Sequence, residues 1–511
     1  MPYPIVPILV GMAGTSAMAL GATSPAYSFS PYGWGENWVE WLGRFATGAE
    51  GVWETTLGAL ALTWAWWVLR PRKGQPLHGL VNMPGTVRAM AGAAGADVHD
   101  GMWSGIRQFT WALILWCLPM LALPPILSND STLYADAGWS YANGYNVYDV
   151  GLAYLPGPYH DQVDKLWAGS GVAYPPLSIL TAWLCDAVTG FHPYWGIIAQ
   201  RIPVLISVAV MLYVLPRLAH SLMMTRFSEA PGLDCPSEAL ESRACFAARL
   251  AVWLGVLNPL LIVHYVGGAH NDAPMVAITV VALYMVVKKP TLAMSLVYAP
   301  IVVGLGMAYK PQGGLTAVAV AALPVIFSAG LDLQVGNGLM RLRRAGVLKQ
   351  VVGRVAVACC VTLATFALVC VVSGLGFGWT KWLDLMGKAN TIAPMASIPK
   401  LILLFNGEPP WWPVFTFWWA ILSAVVLLGL LLFVLIRFAD RPISAVGWGA
   451  FVVVVAGQSI HPWYLPWTLA LLGLAPHTRT QRRWLFGFAI VFFMWNTFQT
   501  AMWHGQYVPE G

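Results

Sequence analysis

Asp130 sits two or three residues beyond the end of an apolar run, inside the segment LPPILSNDSTLYADAGWSYANGYNVYD (123–149). A carboxylate at that depth lies where hydrocarbon gives way to water. Partial desolvation there raises its pKa toward the range that suits a general base. Ser, Asn and Asp also end helices in water routinely, so a plain helix cap is an equal reading of the same residues. Asp136 and Asp149 lie deeper in the polar stretch and are weaker candidates. His270, Asn271 and Asp272 follow Gly267 and Gly268 at the end of another apolar run. Consecutive polar side chains beside apolar helices are costly unless paired or wet. They form either a helix-breaking turn or a hydrogen-bonding array for a sugar or a phosphate. Lys310, directly before Pro311, puts an ammonium at the same kind of boundary. It is either a phosphate partner or a snorkelling anchor. Arg201 is the second cation placed to meet a phosphate there. The turn SIHPWYLPW (459–467) adds His461, beside Trp463 and Tyr464. Those two rings are ordinary residents of a membrane interface, which leaves His461 as the informative one. The loop LPGPYHDQVDKLWAGSGVAYPPLS (155–178) mixes Pro, Gly and aromatics. Its Tyr159, Trp167 and Tyr174 suit stacking against sugar rings, or a rigid cap over the membrane surface.

The elements that must hold these residues are transmembrane helices. The chain is 58% hydrophobic and 10% charged, against roughly 25% charged in a soluble domain. No soluble core of this length hides so much apolar surface, and lipid resolves the mismatch. The 27 Trp and 18 Tyr fit interfacial belts. The expected fold is all-α, a polytopic transmembrane helix bundle. Its spans are expected at about 4–23, 52–69, 109–127, 196–216, 249–266, 273–287, 291–309, 313–330, 355–374, 414–436, 443–460, 463–476 and 484–502. That makes about 13 spans, with residues 174–190 kept as an outside or re-entrant helix because they are short and contain Asp186. Residues 4–23 read as a first span rather than a cleaved signal peptide, since no basic stretch precedes them. With the N-terminus inside, about three quarters of the 28 basic residues fall in cytoplasmic segments. Only Arg44, Lys165, Arg201, Lys310, Lys381, Lys388 and Lys400 then lie outside. Long non-cytoplasmic loops run from 128 to 195 and from 375 to 413, and the unusual polar residues collect on that one face.

Several function classes fall away. The net charge of +6 is distributed by topology and carries no nucleic-acid signal. The seven Cys include no CxxC pair, so neither a zinc site nor a disulfide framework is expected. No internal repeat supports an inverted-repeat transporter. No acidic cluster for Mg²⁺ or Mn²⁺ accompanies Asp130, and no cofactor is expected.

Six stretches carry a resemblance: LPMLALPPILSNDSTLYADAGWSYANGYNVYD, VAYPPLSILTAW, RIPVLISVAVMLYVLPRLA, WLGVLNPLLIVHYVGGAHNDAPMVA, GMAYKPQ and HPWYLPWTLALLGLA. In this order and spacing, over roughly 115–475, they resemble the polyprenol-phosphate-mannose-dependent α-(1→6)-mannosyltransferases of actinobacteria. These belong to the GT-C class of membrane glycosyltransferases. The WLGVLNPLLIVHYVGGAHNDA block is the most specific. Two departures stand out. Asp130 is followed by Ser-Thr-Leu-Tyr134 where the family pattern has an aromatic sooner. Tyr174 is followed by Pro175-Pro176-Leu177 where the pattern has Gly-Pro-Leu. They bear on the acceptor more than on the class.

The resemblance implies a donor, polyprenyl-phosphate-mannose, and a mannan or lipoglycan acceptor of the lipomannan and lipoarabinomannan kind. Transfer would invert a β-linked sugar to an α-linkage with Asp130 as general base. Lys310, with His461 or Arg201, would meet the donor phosphate. His270, Asn271, Asp272, Tyr134, Tyr148, Tyr174, Trp167, Trp463 and Tyr464 would line the sugar and acceptor sites. The implied location is the plasma membrane, with the active site on the non-cytoplasmic face. The chain divides as 1–108, an N-terminal two-span region with a cytoplasmic linker; 109–310, a catalytic transmembrane module; and 311–511, a C-terminal transmembrane module. A transferase of another lipid-phosphate sugar, such as a pentose, stands as the alternative. A lipid or sugar transporter and a non-catalytic subunit stand further off, since they predict mid-span charges and no essential carboxylate respectively.

Overall fold

A computed structural model describes residues 4–24, 37–46, 51–71, 96–128, 130–149, 151–228, 237–331, 337–383, 393–407, 409–457, 459–476 and 478–504. Among these the regular structure is entirely helical. Cys235 and Lys388 lie outside them.

The chain opens with a hairpin of α1 (Ile5–Gly21) and α2 (Val52–Val68). Its seam is made of glycine. A Cβ on Gly14 would stand 2.7 Å from the Gly58 carbonyl, and one on Gly58 would stand 2.4 Å from the Gly14 carbonyl. Only hydrogen in place of a side chain lets two backbones meet so closely in lipid. Helix α3 (Ala96–Cys117) lies against α1, where Trp116 Nε1 donates to the Ile8 carbonyl at 2.8 Å. After α3 come α4 (Asp130–Ala142) and α5 (Pro176–Val188), which pack on each other. With 13 residues, α5 reaches only about 20 Å, short of a hydrocarbon core of about 30 Å.

The centre of the protein is built from α6 (Arg201–Ser228), α7 (Ser237–Gly255), a π-helical turn α8 (Leu261–Gly267) and α9 (Asp272–Lys288). Their apolar residues join those of α1 to α3 in one continuous core. Two indoles lock the N-terminal hairpin onto that centre. Trp66 of α2 and Trp253 of α7 stack at 4.2 Å, and each donates its Nε1–H to the other's carbonyl, at 3.1 and 2.9 Å. Beyond α9 follow α10 (Ala299–Met307), α11 (Thr316–Ser328), α12 (Leu348–Val372), α13 (Pro394–Asn406), α14 (Trp412–Arg437), α15 (Pro442–Ala456), α16 (Leu465–Leu472) and α17 (Arg479–His504). Helices α12 and α14 leave most of their apolar surface uncovered by protein, as a helix facing lipid must.

Length and composition single out four described helices that can cross a membrane, or five if α8 and α9 count as one bent span. The thirteen expected spans therefore do not appear as thirteen long helices. The reason is local. The 249–266 stretch breaks after Gly255 and resumes as α8, which meets α9 at a bend of 115°. The 463–476 stretch yields only the eight residues of α16 after a 3₁₀ turn. Proline at 311 and 462 starts such turns by removing an N–H donor.

Candidate active site

Four separate breaks between helices converge at one end of the central helices. The first carries Asp130 as the opening residue of α4, whose N–H donates to Ser128 Oγ at 3.2 Å. The second is the α8–α9 turn with His270, Asn271 and Asp272; Asp272 opens α9. Each carboxylate thus meets the positive end of a helix dipole. The third is Lys310, held extended between α10 and the 3₁₀ turn Pro311–Leu315. The fourth is the turn Pro462–Tyr464, preceded by His461. Two of the breaks are strained. Leu127, just before Asp130, and Ala269, just before His270, both take positive φ, at 58° and 56°, a region that ordinary side chains avoid. The chain closes tightly here as well. A Cβ on Gly268 would come within 2.8 Å of the His264 carbonyl and 3.1 Å of the His270 ring.

Around Asp130 the polar groups are specific. Its Oδ2 accepts from the hydroxyls of Tyr134 and Tyr174, both at 3.3 Å, and lies 3.5 Å from His270 Nδ1. Burial pushes the Asp130 carboxyl up to about 6; Lys310 and the two tyrosines work against that rise, while Asp272 adds to it. The side chain keeps 15% of its surface open, so a reactant can reach it. Lys310 Nζ donates to Asp272 Oδ2 at 2.7 Å, with both groups almost wholly buried. The same ammonium sits over the rings of Tyr174 (5.2 Å) and Tyr464 (5.0 Å). Trp463 is sandwiched between two histidine rings, His270 at 3.9 Å and His461 at 4.3 Å. Burial, and behind it the positive charge of Lys310, holds His461 down at about 3. Burial first, then His264 and Lys310, holds His270 well below the usual histidine range. Both shifts favour the neutral form of the ring. Asn271 leaves both ends of its amide without a partner among the described residues and faces a cavity of about 20 Å³ shared with Tyr134, Thr181 and Gln200.

Three groups of expected residues sit differently from the rest. Arg201 turns three of its five N–H donors to the backbone. Its Nε donates to the Val266 carbonyl at 2.9 Å, and its Nη2 to the carbonyls of Gly267 (2.7 Å) and Pro124 (3.2 Å). It is 2% exposed and ties the α8 end to the segment ahead of Asp130. Trp167 and Tyr148 are buried in the same apolar cluster as Tyr134 and Tyr174, packed behind the site rather than open to a sugar ring. The Tyr148 hydroxyl donates to the Tyr174 carbonyl at 2.8 Å, so it supports a site residue from behind. Asp149 is also remote: it pairs with Lys381 at 2.5 Å in an exposed position. Conversely, His264 was hidden in an apolar run. Its ring lies 6.3 Å from that of His270 and 5.9 Å from Trp463. Lys400 of α13 is a second cation whose field reaches His461.

The whole constellation, apart from the 461–464 turn, lies within the part of the chain that matches one family model. That model is described as the alpha-(1->6)-mannopyranosyltransferase N-terminal domain, and it matches residues 8–228 and 237–326, more than half of the chain. The chain belongs to the α-(1→6)-mannopyranosyltransferase family. Among individual relatives, an alpha-(1->6)-mannopyranosyltransferase of Mycobacterium tuberculosis is 26% identical over 486 residues, covering 83% of this chain and 76% of its own. Alpha-(1->6)-mannopyranosyltransferase A of the same organism is 25% identical over 72% of this chain and 65% of its own. Its namesake in Corynebacterium glutamicum is 26% identical over 58% and 54% respectively. No solved structure matches. Within this mannosyltransferase family member, Asp130, Tyr134, Tyr174, His270, Asp272 and Lys310 all fall in the matched region, and His461, Trp463 and Tyr464 complete the pocket from beyond it.

Proposed function

We propose that the chain is an inverting membrane mannosyltransferase. It would take mannose from a polyprenyl-phosphate-mannose and extend an α-(1→6)-mannan or lipoglycan acceptor, on the non-cytoplasmic face of the plasma membrane. The observation that carries this reading is the placement of a partly open carboxylate, Asp130, in one pocket with the Lys310 ammonium. In the displacement, an acceptor hydroxyl oxygen forms a bond to the anomeric carbon as the bond from that carbon to the phosphate oxygen breaks. Asp130 takes the hydroxyl proton, and the electron pair leaves with the lipid phosphate. Attack opposite a β-linked phosphate leaves an α-linkage. Near neutral pH a carboxyl at about 6 is mostly ionised yet basic enough to accept a proton.

Lys310 keeps one N–H donor on Asp272, which leaves two for the phosphate oxygens. Tyr134 and Tyr174 hold Asp130 toward the open side, and His270, braced by Trp463, closes the other. Arg201 gives three of its five N–H donors to backbone carbonyls, which leaves Lys310 the better placed cation for the phosphate. The test is to incubate membranes containing the protein with radiolabelled polyprenyl-phosphate mannose and a short α-(1→6)-mannoside. Label should enter the acceptor with the wild-type chain and not with Asp130→Asn. Transfer from a polyprenyl-phosphate pentose in place of mannose would move the reading to the pentose alternative.

A further inference from the structure

A second set of chemically competent side chains lies at the far end of the α6–α7 pair. His220 of α6 comes nineteen residues after Arg201, so it stands about 28 Å along the helix from the catalytic end. Facing it on α7 are Glu241 and Cys245, four residues apart and therefore on one side of that helix. His220 Nε2 is 2.8 Å from Glu241 Oε1, and Cys245 Sγ is 3.7 Å from the same oxygen. All three donor atoms lie within 4.8 Å of one another. Cys245 is buried, while His220 and Glu241 keep 21% and 22% of their side chains open, so the cluster has a wet side.

Donors held by one tetrahedral zinc ion, at about 2.0–2.3 Å from the metal, stand about 3.3–3.8 Å apart. The observed spacings bracket that figure, so only small side-chain rotations separate this arrangement from a chelate. The donor set is one sulfur, one imidazole nitrogen and one carboxylate oxygen. This mixture suits a borderline-soft cation and disfavours Mg²⁺ and Ca²⁺, which want oxygen alone.

We propose that His220, Glu241 and Cys245 bind one Zn²⁺ ion, with water in the fourth position on the open side. On binding, the Cys245 S–H bond breaks, the proton goes to water and the thiolate takes the metal. The ion joins α6 to α7 at the end opposite the active site. It is a tie between helices and takes no part in sugar transfer, so this proposal stands or falls independently of the mannosyltransferase reading.

Cobalt(II) titration of the full-length protein in detergent, after treatment with a chelator, tests it. One equivalent should bind with a thiolate-to-cobalt charge-transfer band in the near ultraviolet, and Zn²⁺ should displace it. Cys245→Ser should lose the band, and His220→Ala should weaken binding by more than tenfold while the protein remains monodisperse. An absent band in the wild-type chain would overturn the site. So would a band of equal strength in Cys245→Ser, which would place the metal on another cysteine. If Cys245→Ser fails to fold, Cys245→Ala and Glu241→Gln give the same reading: loss of cobalt affinity supports the site and unchanged affinity refutes it.

Discussion

Helix α4 carries two carboxylates six residues apart, one partly open and one buried, and their surroundings differ in kind. Asp130, at the first turn, has two tyrosine hydroxyls, a histidine edge and a nearby ammonium. Asp136, nearly two turns on, is fully buried, and neither carboxylate oxygen has a hydrogen-bond partner among the described residues. Burial pushes Asp136 up to about 7, with only the charge on His160 opposing it. Desolvation with little to oppose it thus leaves a carboxyl that is still about half protonated near neutral pH. Desolvation offset by donors and a cation produces a carboxylate that is ionised and still basic. A raised pKa by itself therefore does not mark a catalytic base; the groups that hold the ionised form do.

Replacing each carboxylate in turn by its amide separates their roles. Asp130→Asn keeps size and polarity but cannot accept a proton, and transfer should fall by about 10²–10⁴. Asp136→Asn should leave transfer within a few-fold of wild type; the opposite pattern would end the comparison. Next comes the cation. Removing Lys310 alone strands Asp272 in a buried place, at a cost of about 3–5 kcal/mol in stability. The double variant Asp272→Asn/Lys310→Met removes both charges. It should fold and still lose roughly tenfold to a hundredfold in donor use, the worth of about 1.5–3 kcal/mol for a charge-assisted contact. Unchanged donor kinetics in the folded double variant would reduce Lys310 to an internal tie.

Titration separates the two carboxylates by a different measurement. Activity should fall with a one-proton dependence as pH drops through about 6, as Asp130 protonates. Asp136 acts on stability with the opposite sense. Its folded-state value is raised, so its contribution is complete below the ordinary carboxylate value of 3.8 and is lost as pH rises toward and through about 7. Thermal unfolding in detergent should show wild-type stability declining across that window, and Asp136→Asn should flatten the decline. The smallest effect is expected at Trp463. Trp463→Phe weakens the sandwich between His270 and His461, whose stacking is worth about 0.5–1.5 kcal/mol. A loss of roughly twofold to tenfold in rate, with no change in pH profile, is the expected outcome.

Much of this pocket was legible along the chain, because its residues interrupt apolar runs. Asp130, the His270–Asp272 triplet, Lys310 and His461 each stand where a hydrophobic pattern stops, and lipid makes such places conspicuous. What stayed hidden depends on partners far away in sequence. Lys310 pairs with a residue 38 positions earlier, and Arg201 bonds to carbonyls 65 to 77 positions away. A main-chain carbonyl leaves no mark on composition, so the arginine read as a ligand for phosphate. His264 was masked for another reason. It lies inside the apolar run itself, and only the π-helical turn rotates it toward His270. The count of about 13 spans is left unconfirmed on the same ground, since hydropathy averages across breaks that a π turn, a 3₁₀ turn or a single proline introduces.

The paired indoles of Trp66 and Trp253 have a consequence for the order of biosynthesis. The two residues are 187 positions apart, and a ribosome adding about 5–20 residues each second needs roughly ten to forty seconds to supply the second after the first. During that interval the Trp66 indole lacks its acceptor on α7, while the close contact of Gly14 with Gly58 involves α1 and α2 alone. The clasp between the two indoles can therefore close only after α7 has been made.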